Sequence, residues 1–319
     1  MDKKEKYIKF CAEEKSLPLF FQPWWLDCVC VDGEWEALIY EKNEEILGVY
    51  PYYRKKKYGI LNLISMPVFT PFLGPYLIYP QNLRHFEKAS LEKEIYSAFI
   101  DKLPEFDYLI QCFNYSFTNW LPFLWNDFKQ TTYYSYVIDD ISDIEKVKSN
   151  FHYSKVKQIN KAQKSVEVRF DMLPDDFYDF HRRTLLRQNG KISYDLELFR
   201  KLANTAINNN SGKIIYACNN DRICSALFFV WDENSGYNLI SANDPETRGS
   251  GSLDLLVMNA IAFLSGKTRS YDMEGSVVEK YEFSFRHFGG RQQPYFLIWK
   301  TNSFLVKLQQ LLASSKRRL

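Results

Sequence analysis

At 319 residues, with 46% hydrophobic side chains, the chain is long enough for two domains that each bury a core. Its 41 Lys and Arg against 39 Asp and Glu leave a formal net charge of +2, which excludes the strong basic excess of a dedicated duplex-nucleic-acid binder. The start, MDKKEKYIKF, has no apolar leader core, no stretch approaches 18 uninterrupted apolar residues, and the six cysteines and four histidines show no zinc-site spacing. The expectation is a soluble cytoplasmic protein with reduced thiols, no transmembrane segment and no metal.

In chain order, residues 36–53 (EALIYEKNEEILGVYPYY) read as a strand, a polar turn and a second strand, and ILNLIS supplies a third. Leu91, Ile95, Phe99 and Leu103 form one helical stripe, and FDYLIQCF is the next strand. An aromatic helix, a polar turn and a closing strand follow in FLWNDFKQTTYYSYVI. After an acidic turn at 139–143 comes a helical region, 144–210. It holds the basic stretch YSKVKQINKAQKS and two helices, 174–187 and 195–208, the first opened by Pro174, Asp175 and Asp176.

Then the order repeats. Residues 213–230 (KIIYACNNDRICSALFFV) form a hairpin with its turn at 219–222, and YNLISA is a third strand. Leu253, Val257, Ile261 and Leu264 mark a helix, RSYDMEGS a strand, and FSFRHFGGRQQPYFLI a helix, turn and closing strand. Two halves of one pattern are expected, 1–140 and 141–319, the second carrying the helical insert and a basic C-terminal helix. The 17% aromatic content is expected to fill β-rich cores.

Chemistry gathers in the second half. Arg248, Gly249, Ser250, Gly251 and Ser252 lie between a strand and a helix, where backbone N–H groups at a helix N-terminus favour an anion and Arg248 adds a charged donor. The other reading of this segment is a plain strand-to-helix turn. No Gly-Lys-Ser/Thr follows, so it is not a Walker loop, and a third glycine is lacking for a dinucleotide fingerprint. Asp272 and Glu274, at i and i+2 near a strand end, share a face and can hold an amine or act as a base, because mutual repulsion raises one pKa; the equal alternative is a solvated strand edge with a turn. Tyr281 and Tyr295 are candidates to protonate a leaving thiolate, although a tyrosine in such a place is more often a packing residue.

The tandem pattern, the helical insert and the ending YDMEGSVVEKYEFSFRHFGGRQQPYFLI resemble the Fem-type branch of the GNAT superfamily, which includes the peptidoglycan-bridge aminoacyltransferases. The basic helix 154–164 resembles the helix that opens the second half in those proteins, and FFQPWWLDCV their N-terminal entry. The resemblance implies an α/β protein of two tandem GNAT-type domains with mixed sheets. It also implies acyl transfer from an acyl-CoA such as acetyl-CoA, used as a cosubstrate, to an amine on a small or lipid-linked acceptor. Arg248 and Gly251 match the family's Arg-x-x-Gly core, while Leu253 stands where the pattern has Gly or Ala. The first-half counterpart, FTPFLGPYLIYP, is apolar, so the donor is expected on the second half alone. Asp272, Glu274 and Tyr281 are then the catalytic candidates, with Arg286 and Tyr295 on the acceptor side.

Two further readings stand beside this one. An aminoacyl-tRNA-dependent ligase acting on a peptidoglycan precursor uses Lys155, Lys157, Lys161, Lys164 and Arg169 to hold a tRNA end; the alternative for that run is a solvated helix face. An inactive GNAT pair acting as a scaffold is the other. The tail FLVKLQQLLASSKRRL is an amphipathic helix that packs on the protein or touches a membrane surface weakly.

Overall fold

The computed structural model describes residues 2–275 and 279–308. The chain begins with α1 (Lys3–Glu13) and α2 (Pro23–Val29). Next come β1 (Glu34–Lys42), β2 (Glu45–Lys57), β3 (Leu61–Ser65), β4 (Tyr76–Leu77), α3 (His85–Lys102), β5 (Tyr108–Cys112), α4 (Leu121–Trp125) and β6 (Lys129–Ile138). The helical region holds α5 (Ile144–Ser149), α6 (Tyr153–Ala162), a short β7 (Glu167–Arg169), α7 (Pro174–Leu186) and α8 (Leu196–Asn208). Last are β8 (Gly212–Asn219), β9 (Arg222–Trp231), β10 (Ser235–Asn243), α9 (Ser252–Leu264), β11 (Ser270–Asp272), α10 (Glu279–Arg286) and β12 (Arg291–Thr301). Of the C-terminal tail only its first turn is described; the basic end, like Ser276 of the YDMEGS segment, lies outside the described residues.

Two compact units emerge, Met1–Tyr133 with Pro294–Leu319, and Tyr134–Gln293. In the first, the antiparallel β1–β2–β3 meander continues in parallel to β5, with Leu63 opposite Tyr108, and β4 pairs with β2. β12 then lies antiparallel on β5, Leu297 opposite Cys112. The core is aromatic, as the composition implies: Tyr50, Tyr96, Phe99, Phe113, Phe117 and Phe123 are buried together, and the Phe113 and Phe117 rings meet edge to face at 4.9 Å.

The second unit has the strand order β6–β11–β10–β9–β8–β7. β10 and β11 run parallel and the rest of this unit's pairs are antiparallel. α9 packs its Leu255, Leu256, Ala260 and Leu264 against one sheet face with Leu227, Phe229 and Tyr271. On β9, Phe228 points the opposite way and meets Phe177 of α7 and Phe199 of α8, as the period-2 alternation of a doubly covered strand requires.

The closing strands differ from the sequence reading. YYSYVI, expected to finish the first half, pairs with β11 of the second unit, Tyr271 opposite Ile138. The strand that ends the second half finishes the first unit on β5. Of the described residues, 294–308 therefore go with the first unit and 134–140 with the second. Strand propensity fixes that a segment is extended and which side chains alternate, but not which neighbour supplies its hydrogen bonds.

The basic stretch also departs from a solvated face. Lys155 of α6 is 7% exposed, pairs with Asp254 of α9 at 2.6 Å, donates to Ser284 Oγ of α10 at 2.8 Å, and lies 4.4 Å from the Phe288 ring centre. Removing one partner of such a pair strands the other charge. We predict that Lys155→Ala lowers unfolding stability in urea by about 3 kcal/mol, whereas Lys157→Ala, on the exposed side of the same helix, leaves it within about 0.5 kcal/mol of wild type.

Candidate active site

β10 and β11 pair over three residues only, Ser235 to Tyr237 against Ser270 to Asp272. β10 continues to Asn243, but β11 stops at Asp272 and the chain turns away, with Glu274 in the left-handed region at φ 52°. The two strands therefore part beyond Tyr237, and Asp272 and Glu274 sit where they do so.

Residues of β6, distant in sequence, hold this turn. Ser135 of β6 donates its hydroxyl to Asp272 Oδ1 and accepts the Gly275 N–H at 2.9 Å. Asp272 Oδ1 also accepts the Glu274 N–H at 2.8 Å, and the Met273 N–H reaches the Tyr136 carbonyl at 3.0 Å. Gly275 is required here, because a Cβ would overlap the Tyr134 carbonyl and Ser135 Cα.

The two carboxyls consequently differ. Asp272 is 2% exposed and fixes the turn through its acceptor oxygen. Burial pushes its carboxyl up to about 6, and the Ser135 hydroxyl and Glu274 N–H offset this in part. Glu274 Oε1 is shut off from solvent with no hydrogen-bond partner among the described residues. Burial, with the Asp272 charge second, holds the Glu274 carboxyl well above the ordinary glutamate range. A carboxyl on a left-handed residue beside a strand opening, with one oxygen shut off and unpartnered among the described residues, is the arrangement expected of a group kept for a ligand rather than for the fold.

At the far end of β10, residues Pro245–Ser250 form a single 3-10 segment rather than an open loop. Its entry is pinned by Asp244, 3% exposed, which accepts from Arg187 at 3.0 Å and from Arg222 at 2.9 Å. Gly251 takes φ 77° and opens α9, and a Cβ there would overlap the Gln158 carbonyl of α6. Lys161 of α6 donates to the Gly249 carbonyl at 2.7 Å. Ser252 is buried, its N–H on Ser250 Oγ at 3.2 Å, while Arg248 and Gly249 are exposed and Arg248 donates to Gln188.

The remaining candidates are spread more widely. Tyr281 lies on α10 and is 53% exposed. Arg286 ends that helix, 3.5 Å from Glu282, which accepts the Tyr136 hydroxyl. Tyr295 belongs to the first unit, where its ring meets Tyr133 edge-on at 5.9 Å. Lys157, Lys161 and Lys164 line a surface groove of about 1050 Å³ with Phe151, Tyr153 and Val156, while Arg169 pairs with Glu167 at 2.8 Å. Among the described residues no His, Cys, Asp and Glu cluster has the make-up of a metal site. Sequence reasoning missed Ser135, Gln158 and Asp244. The one signal for Ser135 was a small polar residue inside an aromatic strand.

No family model matches the sequence, and no curated protein does. Solved structures do match. FemX covers 93% of this chain and 96% of its own at a TM-score of 0.66 and 10% identity. A conserved protein of unknown function from Bacteroides thetaiotaomicron covers 88% and 90% at a TM-score of 0.55 and 12% identity. A tandem GNAT protein from the clavulanic acid biosynthesis pathway is more distant, at 0.47 and 8% over 84% and 83% of the two chains. The chain thus has the fold of FemX, a mixed α/β architecture, over nearly its whole length. No described helix is long and apolar enough to cross a membrane.

Because the folded protein keeps a proton on Asp272 in a range where the unfolded chain has lost it, this group's contribution to stability is full below about pH 4. It is lost as pH rises through about 6. Asp272→Asn keeps an acceptor oxygen and does not titrate. From pH 4 to pH 7, wild type should lose about 2 kcal/mol relative to that variant, read from paired urea titrations at each pH; parallel curves refute the assignment.

Proposed function

We propose that the second unit transfers an acyl group from an acyl-CoA to an amine in cell-envelope or glycan biosynthesis. The observation that carries this reading is Glu274 Oε1, buried and without a partner among the described residues where β10 and β11 part. The turn of Arg248, Gly249, Ser250, Gly251 and Ser252 is the proposed seat of the donor phosphates, at the N-terminus of the 13-residue α9.

In this mechanism the Glu274 carboxylate takes a proton from the acceptor amine, whose nitrogen attacks the thioester carbonyl carbon. The tetrahedral adduct collapses, the C–S bond breaks, and the thiolate leaves and is protonated, with Tyr281 as the proposed donor. Asp272 acts by holding the turn. Arg286 is the proposed acceptor contact; Tyr295, on a first-unit strand, is left out of this site. No enzyme-bound intermediate is required, and burial pushes the Cys11, Cys30 and Cys112 thiols up to about 12, away from nucleophilic use.

One observation favours a second donor. Lys157, Lys161 and Lys164 with the exposed Tyr153 line one groove, which suits a tRNA end carrying an aminoacyl group. Steep salt sensitivity of tRNA binding, reduced in a Lys157→Ala, Lys164→Ala variant, supports that donor over acyl-CoA.

Glu274→Gln should lower kcat by about 100-fold or more with the donor KM little changed, and the wild-type rate should rise with pH through the elevated Glu274 pKa. Unchanged turnover removes Glu274 from the mechanism. Acetyl-CoA at a hundred times its Kd should stabilise the protein by about 2.7 kcal/mol, an effect that Arg248→Ala weakens. No shift with any acyl-CoA overturns the donor assignment.

A further inference from the structure

The first unit carries a hairpin whose tip, Tyr58 to Ile60, stands exposed. β2 ends in Arg54, Lys55, Lys56 and Lys57, and β3 starts at Leu61, with Lys57 opposite Leu61. Between them the Ile60 N–H bonds to the Lys57 carbonyl at 3.3 Å, while Tyr58 has φ 55° and Gly59 φ 72°. Two successive positive φ values make this a primed hairpin turn, whose first central position favours Asn, Asp or Gly. A tyrosine there opposes the backbone preference.

Packing does not account for the residue either. Tyr58 is 73% exposed and Ile60 71%. The Lys57 ammonium, 5.2 Å from the Tyr58 ring centre, is its neighbour. Arg54 is committed to Glu34 at 2.6 Å and Glu36 at 2.7 Å, but neither Lys56 nor Lys57 has a carboxylate within ion-pair distance among the described residues.

A protruding aromatic and a branched aliphatic, flanked by unpaired ammonium groups, match the layered chemistry of a bilayer boundary. A tyrosine ring settles at headgroup level, an isoleucine enters the acyl boundary, and lysines meet lipid phosphates while their stems follow the apolar surface. A single-stranded nucleic acid also suits lysines and a tyrosine, but it leaves Ile60 unused on a convex turn. We propose that the β2–β3 tip docks the first unit on an anionic lipid surface. This does not depend on the donor or on the chemistry of the second unit.

The test is co-sedimentation of the full chain with phosphatidylcholine vesicles, with and without phosphatidylglycerol, at low and raised salt. Three proteins are compared: wild type, Tyr58→Asn with Ile60→Ser, and Lys56→Gln with Lys57→Gln. Asparagine suits the turn, so the first variant keeps the hairpin while losing its apolar tip, and unchanged thermal midpoints confirm folding. Wild type should bind the phosphatidylglycerol vesicles, bind phosphatidylcholine alone far less, and release with salt. Each variant should lose roughly tenfold or more in partitioning. The proposal is overturned if wild type binds neither vesicle. It is equally overturned if the tip variant binds like wild type, which places any adsorption elsewhere, or if the protein binds tRNA through the tip and leaves vesicles alone.

Discussion

The second unit depends on one buried hydrogen-bonded knot, in which Asp272 receives the Ser135 hydroxyl and the Glu274 N–H. The contact joins residues 137 positions apart and lets a strand drawn from the first half of the sequence close the sheet of the second. The geometry around Glu274 follows from it. β11 stops at Asp272 because its carboxyl turns back onto the chain; Glu274 enters a left-handed conformation because the turn is that tight; and Gly275 is tolerated where no other residue fits. With Asp272 occupied by the fold, Glu274 is left as the acid with an unused oxygen.

α6 is the second constraint. Its buried Lys155 ties it to α9 and α10, while the Gln158 carbonyl and the Lys161 ammonium hold Gly251 and Gly249 in place. A helix that reads as a basic surface element therefore sets the backbone at the N-terminus of α9. Its charge divides by position: Lys155 is internal, Lys161 bonds to a carbonyl, and Lys157, with Lys161 and with Lys164 just past the helix end, lines the groove.

Much of this was legible in the sequence. The hairpins at 36–53 and 213–230, the Leu253 to Leu264 stripe and the Pro174 helix start are local signals, and the structure has a hairpin or helix at each. The partners of the two closing strands were not legible, since TTYYSYVI and QPYFLI fit either sheet by alternation. Residues at i and i+2 share a face only inside a strand, and β11 ends between Asp272 and Glu274, so their spacing alone does not set how the two carboxyls lie. The burial of Lys155 did leave a trace: it shares a helical face with Ile159 and Ala162, both buried. The strained tyrosine at the β2–β3 turn left none, because lysines followed by Tyr-Gly read as an ordinary solvated loop.

The exchange of closing strands has a consequence for synthesis on the ribosome. β5 lies beside β12 in the finished first unit, and β12 emerges only after the whole of the second unit's helices and sheet. Until about 180 further residues have been made after β5, that strand offers bare N–H and C=O groups along one edge, in a segment rich in apolar side chains. The half translated first is thus the half completed last. A nascent chain stalled before residue 294 exposes an open sheet edge, the kind of surface on which holding chaperones act and from which intermolecular pairing begins.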